Sequence, residues 1–155
     1  MPALSIERIE VRERDLEALV RVTDLALVRT SAIPGIAEKA SALLPGLTRH
    51  SCENDASHDF LRELRDTETP HLLEHVSCEL MALAGSPRSL RGRTEWDFAK
   101  DGKGVFRVRL EFDDDIVALG ALRGAADIVE WLLGDGGQVP DVDVIVQRLE
   151  SRRGG

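Results

Sequence analysis

Thr69-Pro70-His71-Leu72-Leu73-Glu74-His75-Val76-Ser77-Cys78-Glu79-Leu80-Met81-Ala82-Leu83-Ala84-Gly85 is the stretch around which the rest of the chain is read. Leu72, Val76, Leu80 and Leu83 recur at i, i+4, i+8 and i+11, the spacing of one apolar stripe on an α-helix. Thr69 stands where an N-cap would, Pro70 at the first helical position, and Gly85 closes the segment. His71, Glu74, His75 and Cys78 fall on another face, which this spacing leaves to chemistry while the stripe packs. At about 100° per residue, the two histidines lie about 40° apart and Glu74 about 60° to the other side of His71. Three polar groups therefore converge.

All four histidines and both cysteines lie between His50 and Cys78. Imidazoles one turn apart are zinc ligands by type, and a catalytic zinc keeps three protein ligands and an open position. The third ligand must come from elsewhere in the fold. Cys52 is favoured and His50 is next, while Glu79 is either a ligand or an acceptor that orients an imidazole. Residues 47–52 read as a short strand, whose alternation would point His50 and Cys52 to one side. Glu74 is the candidate base: a metal lowers the pKa of bound water, and a carboxylate beside the second histidine can take that proton and pass it to a departing amine.

The competing interpretation is a solvated helix face on which these three residues make ordinary surface contacts. With 4 histidines and 14 glutamates in 155 residues, chance would produce HxxEH in about one sequence in a hundred, so the pattern favours a metal without deciding for it. Cys78 reads as a small core residue, and His58 as a helix-start or surface residue.

Composition narrows the partners. A chain with 43% hydrophobic residues can build one core and not two. Lys and Arg number 20 against 28 Asp and Glu, a net charge of −8, which argues against nucleic acid and anionic membranes and suits a cationic substrate. Charges alternate along the N-terminus, and no apolar run reaches membrane-spanning length, so a cytoplasmic location is expected. Two cysteines in such a compartment are thiols or ligands rather than a bridge.

Working outward from the central helix, residues 5–28 contain one or two strands, including Leu25-Ala26-Leu27. Pro34 opens a helix over Ile36–Leu44 that Pro45-Gly46 stops, and residues 59–65 form a short helix. Ser86 to Lys103 reads as a loop, where Arg88, Arg91 and Arg93 could grip a carboxylate, Arg91 and Arg93 being the candidates for substrate. A strand follows through Val105, Phe106, Val108, Leu110 and Phe112. Asp113-Asp114-Asp115 reads as the acidic start of a helix reaching Leu133 rather than as a cation site. The domain is then residues 1–133, and residues 134–155 are an extension with a short helix and a frayed tail.

These segments resemble the N-terminal domain of cyanophycin synthetases. The resemblance runs over residues 18–133 and is carried by Leu44-Pro45-Gly46-Leu47 with His50-x-Cys52, Phe60-Leu61, Glu63-Leu64, His71 to Val76, Glu79-Leu80, Leu83-Ala84-Gly85, Gly92-Arg93-Thr94, Gly104-Val105-Phe106, Glu111-Phe112, and Leu119-Gly120 through Leu132. It implies a single α+β domain with a small, mostly antiparallel sheet packed against helices. It also implies contact with cyanophycin, a polyaspartate bearing arginine on its side chains.

Carried over by position, His71 and His75 bind metal, Glu74 is the base, and His50 or Cys52 completes the site. The expectation is a free-standing copy without ligase domains, acting as a zinc hydrolase of peptide or isopeptide bonds. The alternative is a noncatalytic module that binds a peptide or a partner protein through the same face. The sequence leaves the oligomeric state open, a homodimer included.

Overall fold

The computed structural model describes residues 2–47, 60–134 and 136–154. Two hairpin-linked strands begin the chain, β1 (Leu4–Val11) and β2 (Asp15–Val22), and β4 (Val105–Glu111) and β3 (Gly92–Glu95) complete a sheet ordered β1-β2-β4-β3. Every neighbouring pair is antiparallel. Alternation makes the sheet two-faced. Leu16, Ala18, Val20 and Val22 of β2 and Phe106, Val108 and Leu110 of β4 are buried on one side. Arg107 and Arg109 of β4 meet Glu17, Asp15 and Asp101 on the other.

Two long helices cover the apolar side. They are α3 (Thr69–Leu83), over β3 and β4, and α5 (Asp115–Leu133), over β1 and β2. Shorter helices are α1 (Ile36–Leu43), α2 (Phe60–Glu63), α4 (Phe98–Asp101) and α6 (Val142–Arg152). Asp114 caps α5 by accepting from the amides of Ile116 and Val117, which accounts for the acidic triplet as a helix start. No helix among the described residues is long and apolar enough to cross a membrane.

Several local expectations change. Leu25–Leu27 is a 3₁₀ turn capped by Asp24 rather than strand. Thr69 is the first helical residue, after Glu68, and its hydroxyl donates to the Leu27 carbonyl instead of capping α3, because a tertiary acceptor lies within reach. The expected loop over residues 86–103 holds both β3 and α4.

Residues Thr69 to Met81 of α3 are buried on every side, so its polar face is enclosed rather than open. Leu83, assigned to the packing stripe, is instead exposed. The strand expected over residues 47–52 lies largely outside the described residues.

The chain end is fastened, not frayed. Arg153 donates to the Ala84 carbonyl at the end of α3, to Ser86 Oγ and to Asp113, and the amide of Gly154 donates to Asp114. Gly120 and Gly124 let α6 lie close: a Cβ there would fall 2.6 Å from Leu149 and 2.9 Å from Ile145.

Candidate metal centre

Among the described residues, His71, Glu74 and His75 form the one group of three whose donor atoms could hold a metal ion, all within 4.8 Å of one another. The helix supplies all three, since positions three and four apart share a face. They are almost entirely enclosed, His71 at 3% exposure and Glu74 and His75 at 0%.

Each side chain is held from outside α3. Thr67 Oγ1 lies 2.9 Å from His71 Nδ1, which engages that nitrogen and leaves Nε2 as the other donor of the ring. Thr94 Oγ1 donates to Glu74 Oε1 at 2.7 Å, and the other carboxylate oxygen lies 3.8 Å from His75 Nε2. Phe60 of α2 stacks on His75 with ring centroids 3.5 Å apart and an interplanar angle of 7°. Strand β3 approaches Glu74 closely because residue 92 is glycine: a Cβ there would stand 2.6 Å from both Cγ and Oε2 of Glu74. The donor set of two imidazoles and a carboxylate suits zinc. Enclosing a carboxylate costs several kcal/mol unless charge and hydrogen bonds offset it, about the penalty a divalent cation would reverse.

Cys78 lies one turn further along. Burial pushes its thiol well above the usual range and nearby Glu74 adds to the effect, as expected for an inert core cysteine rather than a thiolate ligand. Glu79 Oε1 accepts from Arg88 at 2.7 Å, and its carboxylate fills the space beside Gly46, where any Cβ would overlap it. Thus Arg88 meets a carboxylate of the protein's own.

Arg93 sits on the outer sheet face opposite Arg109, because Gly92 and Thr94 take the inward positions of β3. The Arg91 amide donates to Glu111. Neither Arg91 nor Arg93 lines the cleft beside His71 among the described residues. His50 and Cys52 lie outside the described residues, and the chain re-enters the described structure at Phe60, against His75.

A cleft of about 240 Å³ adjoins the cluster, with His71 and Thr94 in its wall. Among the described residues, Glu63, Asp66 and Glu68 face it with one cation, Arg29, which bonds Asp66 at 2.8 Å and Glu68 at 3.3 Å. Trp96, 49% exposed, forms an aromatic side of the cleft. Sequence reasoning did not assign Phe60, Thr67, Thr94 or Trp96 to the site. Thr67 carried a signal, one helical turn before His71; Thr94 and Trp96 are brought in only by the sheet.

Residues 17–134 match the family described as the cyanophycin synthase-like N-terminal domain. Cyanophycin synthetase of Geminocystis herdmanii is 25% identical over 162 residues, covering 92% of this chain and 18% of that protein. The cyanophycin synthetases of Trichormus variabilis and a Nostoc species are each 28% identical over 138 residues, covering 88% of this chain and 14% of theirs. The chain therefore spans less than a fifth of the length of these relatives. With β2, the site helix α3 and α5 all inside the matched span, the chain belongs to the cyanophycin synthase-like N-terminal domain family.

Proposed function

We propose that this domain is a zinc-dependent hydrolase of peptide or isopeptide bonds, acting on a peptide with cationic side chains such as cyanophycin. The observation that carries the proposal is the convergence of His71, Glu74 and His75 within 4.8 Å beside an acidic cleft. His71 and His75 would hold the ion, with a third ligand from His50 or Cys52. When bound, zinc supplies Lewis acidity and lowers the pKa of water. Glu74, braced by Thr94, accepts the proton from the attacking water and delivers it to the leaving amine. Glu63, Asp66 and Glu68 favour a guanidinium or ammonium group over an anion, and Trp96 offers a face on which such a cation can stack.

A noncatalytic reading rests on a specific observation too: the cluster is so enclosed that the cleft could hold a peptide without cutting it. One experiment separates the two. Untagged protein is analysed for metal and then incubated with cyanophycin. Hydrolysis requires about one zinc per chain, and Glu74→Gln should keep the zinc while losing about 10²–10⁴ in rate. Binding without cleavage, unchanged by Glu74→Gln, selects the module. Absence of zinc in protein refolded with excess metal overturns the hydrolase.

A further inference from the structure

We propose that the groove between α5 and α6 is a binding site for a small phosphoryl anion, a phosphate monoester or pyrophosphate in chemical class. Arg123 projects from α5, and Arg148 and Arg152 project from α6, into one cavity of about 320 Å³. They converge because Gly120 and Gly124 let α6 settle onto α5, which brings the arginine-bearing flanks of both helices together.

The charge pattern is the main argument. This chain has more acids than bases, and Arg12, Arg21, Arg29, Arg65, Arg88, Arg107, Arg109 and Arg153 each lie against a carboxylate. Arg123, Arg148 and Arg152 make no ion pair among the described residues, although they stand in one groove. Asp127 is the one acid in its wall among the described residues. Three positive charges against one leave a surplus that draws in a phosphoryl anion, a phosphate monoester carrying about −1.5 to −2 at neutral pH and pyrophosphate more. Guanidinium forks pair with phosphoryl oxygens two at a time, and a volume near 300 Å³ suits a small molecule rather than a polymer.

The test uses the 155-residue chain stripped of metal, so that no anion can bind through the histidine cluster, in phosphate-free buffer of physiological ionic strength. Pyrophosphate is titrated calorimetrically, with citrate as the carboxylate comparison. The expected result is saturable one-to-one binding of pyrophosphate, weaker binding of citrate, and at least a tenfold loss of affinity in Arg148→Gln/Arg152→Gln and in Arg123→Gln. Arg8→Gln, on the outer sheet face, should bind like the parent. Matching melting temperatures show that the variants are folded; should the double variant melt early, Arg123→Gln alone decides. Unsaturable binding, affinity that survives the groove substitutions, an equal loss in Arg8→Gln, or tighter binding of citrate overturns the proposal.

Discussion

At the scale of single residues, the site depends on contacts measured in one or two atoms. Gly92 has no side chain where Glu74 needs the space, the missing Cβ being 2.6 Å from that carboxylate. Gly92→Ala is expected to cost about 1–3 kcal/mol, read from urea denaturation, because β3 must retreat or Glu74 must leave its rotamer. The same substitution should lower zinc uptake; full stability with full uptake would show that β3 does not press on the site. Thr67 is a gentler probe. Thr67→Val keeps the volume but removes the hydroxyl 2.9 Å from His71 Nδ1, and zinc affinity should fall about 10–100-fold in competition with a chromophoric chelator. An unchanged affinity would remove Thr67 from the account. His71, Glu74 and His75 were visible in the sequence because helical spacing alone brings them together. Thr94 was not, since nothing local to α3 indicates which strand will lie beside it.

At the scale of elements, α3 behaves as a central rod with every side engaged from Thr69 to Met81. An amphipathic pattern was legible there, but enclosure of the polar side required β3, α2 and the cleft residues to arrive from elsewhere. Strand β3 escaped sequence reading because Gly92-Arg93-Thr94-Glu95 has no apolar alternation; its inward side is made by a glycine and a threonine. Helix α6 was expected, and its C-terminal fastening was not. Arg153→Ala removes three hydrogen bonds that join the chain end to α3, Ser86 and Asp113. The loss should be about 1–2 kcal/mol, since each bond is worth little in partly exposed surroundings, with faster amide exchange at the end of α3. An unaltered melting curve and exchange pattern would mean that Arg153 anchors nothing.

For the whole molecule, the carboxylates that tie elements together make stability depend on acid. Hydrogen bonds from Arg29 to Asp66 and from Arg107 to Asp101 hold those carboxyls below their usual range. At Asp113 burial opposes ionisation, yet hydrogen bonds from Ser86 and Arg153 prevail; at Asp114 the Gly154 amide leads. Folded-state values below unfolded ones mean that this stability is present above about pH 4 and is lost as pH falls through the folded values. Urea midpoints should therefore drop between pH 5 and pH 2.5, and less steeply in Arg153→Ala, whose Asp113 has lost its partner; parallel profiles would contradict the linkage. From the sequence alone came the α+β character, the central helix with its three donors, the acidic helix start at Asp113 to Asp115, and the family, because periodicity, capping chemistry and motif spacing are local properties; the helix expected to open at Pro34 instead begins at Ile36, after an N-cap at Gly35, with Pro34 in the turn before it. Only the tertiary structure decided that Glu79 pairs with Arg88, that Arg93 lies opposite Arg109 on the sheet, and that Phe60, Thr67 and Thr94 brace the site. Those outcomes depend on which strand and turn pack against α3, and packing partners distant in sequence leave no mark in the spacing of the residues they meet.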